Sequence, residues 1–143
     1  MNTGLCVLTG ATGGIGQAIA KTLHGQGWQL LLVGRNSDAL NTLSSQCPGS
    51  MVFVGDLTVA ENMLALAIKA KQLGGAKLLI NNAGINVMQS LSASSSEQID
   101  NLLSTNLAVP MKLCQLFLAQ LHANKGSIVN VGSSFGSIGY PYQ

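Results

Sequence analysis

Apolar positions along the chain fall into two alternating patterns. Short runs that are apolar at nearly every position occupy 5–9, 29–33, 51–54, 78–80 and 128–131. Between the first two runs, Ile15, Ile19 and Leu23 recur every fourth residue, while Gln17, Lys21 and His24 lie off that stripe. A run without alternation fits a strand buried on both faces of a parallel sheet, and a stripe of helical period fits a helix with one buried side. Gly25 and Gly27 stand where the first helix ends. Thr58-x-x-Glu61 has the spacing of a capping box and predicts a helix from there to about Leu73. Ser94-x-x-Glu97 repeats that spacing and predicts a long helix to about Leu121. Strand and helix alternate throughout, which predicts an α/β fold: a doubly wound parallel sheet in three layers, joined by right-handed crossovers. No linker or internal repeat divides it, so residues 1–143 read as one domain.

Composition narrows the function classes. Hydrophobic residues make up 47% of the 143 and charged residues 8%. So small a domain leaves much of itself exposed, and so little charge predicts that part of its surface meets another subunit or a further segment. The net charge of +2 is scattered, with no basic cluster or aromatic stripe for nucleic acid. Gly, Lys, Gln or Asn interrupts the apolar runs well before the roughly 18 residues of a membrane span, so no membrane partner is expected. The first residues show no cationic segment leading into a long apolar one. Cys6, Cys47 and Cys114 are odd in number and widely spaced, which reads as reduced thiols in the cytoplasm. His24 and His122 lack partners at metal-ligand spacing.

The first strand runs directly into Thr9-Gly-Ala-Thr-Gly-Gly-Ile-Gly16. Glycines between a strand and a helix let the backbone turn tightly and approach a diphosphate, whose charge favours the helix N-terminus. This makes Gly10, Thr12, Gly13, Gly14, Ile15 and Gly16 candidate cofactor-binding residues. Two spacings fit the loop. Gly10, Gly14 and Gly16 satisfy one, and Gly10, Gly13 and Gly16 the other.

Further along come "GDLT" (55–58) after the third run, "NNAG" (81–84) after the fourth, "STNLAVP" (104–110) in the long helix, and "VNVGSS" (129–134) after the fifth. In this order the motifs resemble the N-terminal portion of the short-chain dehydrogenase/reductase family, short-form branch. The alternative glycine spacing resembles the family's extended, epimerase-like branch. The resemblance implies a Rossmann fold that here lacks the family's C-terminal helices and strands. It implies hydride transfer between a nicotinamide cofactor and a small carbonyl or alcohol substrate, as in a carbonyl or 3-oxoacyl reductase, and a homodimer or homotetramer. It places Asp56 and the Leu57 amide at the adenine, Asn82, Ala83 and Gly84 along the ribose, Asn106 in the active site with its carbonyl holding a relay water, and Ser134 as the active-site serine beside Ser133.

The residues support some of these roles independently. Gly34 stands where an acidic residue would take a ribose 2′-hydroxyl, and Arg35, the only arginine, follows it. An arginine pairs well with a 2′-phosphate, so NADP(H) is expected over NAD(H). Pro110 has no N–H to give the carbonyl of Asn106, which predicts a kink there. Asp56 could equally cap the following helix, and Asn81 and Asn82 could bond neighbouring strand ends. The loop after the fifth run contains no base to activate a serine, which argues against a hydrolase.

The family's Tyr-x-x-x-Lys pair has no counterpart here: Tyr140 and Tyr142 are the only tyrosines, and no lysine follows Lys125. The expectation is therefore a portion of a longer enzyme. The reading that stays open beside it is a nucleotide-binding or interaction module without turnover.

Overall fold

The computed structural model describes residues 3–136 and 138. Tyr140 and Tyr142 lie outside the described residues. The chain runs β1 (Leu5–Thr9), α1 (Gly14–Gly25), β2 (Gln29–Gly34), α2 (Ser37–Gln46), β3 (Met51–Val54), α3 (Ala60–Gln72) and β4 (Ala76–Asn81). A 3-10 turn (Leu91–Ala93) leads into α4 (Ser96–Leu103), a π-turn (Ser104–Ala108), α5 (Val109–Ala123), β5 (Ser127–Asn130) and a last 3-10 turn (Ser134–Gly136).

The five strands form one parallel sheet in the order β3-β2-β1-β4-β5. Order reverses at β1, where β2 lies on one side and β4 on the other. Successive residues of a strand face opposite layers, so the continuous apolar runs feed two cores. Val7, Leu31, Val33 and Leu79 pack beneath α3 and α5, against Leu66, Leu113 and Phe117. Cys6, Leu8, Leu30 and Leu32 pack on the other face against Ala20 of α1 and Leu40 of α2. Burial pushes the Cys6 thiol up to about 12, so it is an inert core residue.

Three local expectations need correction, and one helix was not foreseen. The helix after β3 does not open on a Thr58–Glu61 box. It begins at Ala60 with Val59 at its N-cap and no side-chain cap. The Thr58 hydroxyl instead donates to Asp56 Oδ1 at 2.8 Å, because a carboxylate two residues back is the stronger acceptor. The box before α4 is displaced by one residue. Gln98 N donates to Ser95 Oγ at 3.2 Å and Ser95 N to Gln98 Oε1 at 2.9 Å, while Ser94 bonds the Ser90 carbonyl. In a serine run the spacing is met twice, and the pair with reciprocal bonds forms the box. The long helix is interrupted by the π-turn, where Val109 N reaches the Ser104 carbonyl directly before Pro110. Helix α2, which no apolar stripe announces, is fixed by Asn36, whose Oδ1 accepts from Ala39 N at 2.9 Å.

The uninterrupted-run argument about membranes also needs amending. By length and composition alone, the helical stretch Ser96–Ala123 could cross a bilayer, with a mean hydropathy of 1.3 over its window. Its α5 portion buries Val109, Leu113, Phe117 and Leu121 against the sheet, as a core helix does.

Candidate functional site

The carboxyl ends of β1, β2, β3 and β4 converge on a cavity of about 400 Å³. Gly10, Thr12, Gly13, Gly14, Ile15 and Gly16 form its floor. Gly10 has φ 62°, a left-handed conformation suited to glycine, and a Cβ there would lie 2.8 Å from Ala83 Cα. A Cβ on Gly16 would overlap the Gly10 carbonyl. These two glycines are required by the protein's own packing. Gly13 and Gly14 are different: a Cβ at Gly14 would meet no protein atom within 4 Å, and one at Gly13 only the Gly10 carbonyl at 3.5 Å. Packing therefore favours neither glycine spacing over the other. Both residues border the cavity, so their missing side chains leave room for something that is not protein. Helix α1 starts at Gly14, and its first amides have no intrahelical acceptor.

A compact bonding node sets this loop against the exit of β4. Thr9 is 1% exposed, and its hydroxyl donates to the Ile80 carbonyl at 3.2 Å. The same oxygen accepts from the amides of Asn82 and Ala83, each at 3.0 Å. The Asn82 side chain returns the connection, donating to the carbonyls of Thr9 and Gly10 at 3.1 and 3.0 Å. Asn82 thus ties strand ends and also borders the cavity with Ala83 and Gly84. Asn81 ties β4 to β5 and to α5, donating to Asn130 Oδ1 at 2.8 Å and to Cys114 Sγ at 3.4 Å. Thr9 began the glycine motif, but its part in joining two loops depends on pairing across the sheet and had no sequence signal.

The far wall carries the charged groups. Arg35 is exposed, borders the cavity and follows Gly34 at the end of β2. Asp56 and Leu57 follow the neighbouring strand β3 and border the same cavity. The Thr58 amide, at 2.9 Å, and then the Thr58 hydroxyl hold the Asp56 carboxylate below its ordinary value; the Arg35 charge adds a smaller push the same way. The sequence analysis did not make Val33, Gly55, Thr58, Ile85, Thr105 or Val109 cofactor candidates, although they also border the cavity. They flank its candidates, so motif proximity was the available signal.

Asn106 and Ser134 are not among the residues bordering the cavity. Asn106 reaches it through Ile85, accepting from the Ile85 amide and donating to the Ile85 carbonyl, both at 2.8 Å. Asn106 is exposed, as are Ile99 and Leu103 of α4, whereas Leu102 is half-buried. Ser134 opens the last 3-10 turn, after β5. Val131 N donates to the Asn81 carbonyl at 2.9 Å, which sets the start of that segment beside the exit of β4.

Such a sheet, with a glycine-floored cavity at its switch point, defines a Rossmann-type domain. The particular class follows from comparison with known proteins: the chain belongs to the short chain dehydrogenase family, whose model matches residues 5–143. It is 34% identical over 140 residues to nodulation protein G of Rhizobium sp. (strain N33), covering 96% of this chain and 57% of that protein. It is 31% identical over 134 residues to the 3-oxoacyl-[acyl-carrier-protein] reductase of Mus musculus, covering 92% of this chain and 57% of the relative. A metagenomic short-chain oxidoreductase solved in complex with NADP superposes with a TM-score of 0.90 at 28% identity, over 96% of this chain and 65% of that one. The chain thus spans a little over half the length of these two relatives.

Proposed function

We propose that this domain binds NADP(H) for an oxidoreductase acting on a carbonyl or alcohol carbon of a small molecule, as a carbonyl or 3-oxoacyl reductase does. The observation that carries the reading is the floor of the cavity, where Gly13 and Gly14 leave open space over the first amides of α1. The residues fit a dinucleotide along its length. The amides from Gly14 to Gly16 hold the diphosphate, with Thr12 and Ile15 beside it. Asp56 and the Leu57 amide take the adenine, and Asn82, Ala83 and Gly84 follow the ribose toward the reacting end. No carboxylate stands at Gly34 to repel a 2′-phosphate, and Arg35 is placed to pair with one. The NADP complex of the metagenomic neighbour supports the same cofactor class.

When bound, a nicotinamide supplies or accepts the hydride. Ser134 donates its hydroxyl to the substrate oxygen, where negative charge develops during reduction. Asn106 holds Ile85 at the cavity wall by its side chain, and its main-chain carbonyl positions a water for proton transfer. The working protein is a cytoplasmic homodimer or homotetramer. A nucleotide-binding or interaction module without turnover is the second reading, favoured by the position of Asn106 and Ser134 outside the residues that border the cavity.

Titration of the protein with NADPH and NADH tests the cofactor. The expected result is at least tenfold tighter binding of NADPH, the scale of one charge-assisted contact. Equal affinities would remove Arg35 from its role. NADPH oxidation with ketones and a 3-oxoacyl thioester then separates the readings, because binding without turnover supports the module.

A further inference from the structure

We propose that Gln17 is a positioning residue for the diphosphate end of the cavity, an inference that rests on the dinucleotide reading above. Gln17 is half-buried on the first turn of α1 and does not border the cavity. It holds the loop twice. Its amide donates to the Gly13 carbonyl at 2.9 Å, and its side-chain Nε2 donates to the Thr12 carbonyl at 2.8 Å.

The second bond has a geometric consequence. The Thr12 carbonyl and the Gly13 amide belong to one rigid peptide plane. That plane is pinned at both ends, since Gly13 N donates to the Gly10 carbonyl at 3.2 Å. The next plane is pinned by the Gln17 amide on the Gly13 carbonyl. A trans peptide points its N–H opposite its C=O, so the Gly14 amide is directed away from the helix. Glycine at 13 would otherwise let these planes rotate freely. The Gln17 side chain therefore fixes the peptide plane on one side of Gly13 and its backbone amide the plane on the other. Together they preset the Gly14 amide that meets the diphosphate, and less ordering remains to be done on binding.

The substitution Gln17→Leu removes only the side-chain donor and keeps the backbone bond. It is expected to raise the Kd for NADPH about tenfold, the scale of one net hydrogen bond. The melting temperature should stay within about 2 °C, and hydrogen–deuterium exchange should quicken in the 10–17 segment alone. Gln17→Glu should weaken binding further, because its carboxylate would face both a carbonyl and the phosphates. A folded Gln17→Leu protein that binds NADPH within twofold of wild type overturns the inference. So does a loss of affinity accompanied by faster exchange throughout the sheet, which marks a general stabiliser. If Gln17→Leu melts several degrees lower, Gln17→Met fills the same space without a donor and is read by the same criteria. A wild-type protein that binds neither NADPH nor NADH removes the dinucleotide reading and this inference with it. Wild-type binding with an indifferent Gln17→Leu overturns this inference alone.

Discussion

The Asp56 carboxylate shows how one residue serves structure and a candidate contact at once. Its Oδ1 accepts both the amide and the hydroxyl of Thr58, which turns the chain from β3 toward α3. These donors favour the ionised form and hold the carboxyl below its ordinary value, with a smaller contribution from Arg35 at the end of the neighbouring strand. A group lowered in this way contributes stability that is complete above the ordinary carboxylate value of about 3.9. That contribution disappears as the pH falls through the lower folded value. Asp56→Asn keeps an acceptor oxygen and removes the titration. Wild type should exceed this variant by about 1 kcal/mol at pH 7, a modest figure because the group is only partly buried. Urea unfolding across the acid range should show that gap narrowing below about pH 4. A gap that stayed constant to pH 3 would mean the bonds to Thr58 do not favour the ionised form.

At the scale of elements, α5 is held at its C-terminal end by a polar clamp as well as by its apolar side. Gln120 donates to the Ala67 carbonyl of α3 at 2.9 Å and accepts from the Ala76 amide of β4 at 3.1 Å. Asn124 adds longer bonds to the carbonyls of Gly74 and Ala76. Gln120→Leu keeps the volume but strands the Ala76 amide where little water reaches. It should cost roughly 1–3 kcal/mol in urea unfolding. A loss under about 0.3 kcal/mol would show that α5 is seated by Leu113, Phe117 and Leu121 alone.

That clamp was illegible in the sequence, whereas strands of the sheet were not. β1 falls where its unbroken apolar run predicted, because burial on both faces leaves no alternation to misread. β3 also falls on its run, although as an edge strand it is only partly buried. β4 extends to Ala76 and Asn81, beyond its apolar centre. Its outer residues are kept in place by pairing with β1 and β5, a non-local cause. The cavity floor was legible for a related reason: a strand, a glycine turn and a helix start are consecutive in the chain. What joins that turn to the β4 exit, through Thr9 and Asn82, is separated by more than seventy residues. A shorter separation, 21 residues, still hides Asn106, whose side chain serves Ile85 by a contact no local pattern announces.

For the whole molecule, the low charge content has a definite location. Ile99, Leu103, Leu107, Met111 and Leu118 are all exposed, from 39% to 64%. Four of them follow one another at every fourth position across α4, the π-turn and α5, so they share one outward face. None of the α4 residues is buried, although the helix is strongly two-sided in character. An apolar stripe of that length left in water favours association. The proposed homo-oligomer places it against a second copy, where two such faces cover each other around a two-fold axis. Charges introduced there should oppose pairing without touching the core, because Leu113 and Phe117 face the other way. Leu103→Glu combined with Met111→Glu is therefore expected to shift the mass measured by light scattering to that of one chain. Far-ultraviolet circular dichroism should stay unchanged. A multimer of undiminished mass would mean that association, where it occurs, uses a different surface.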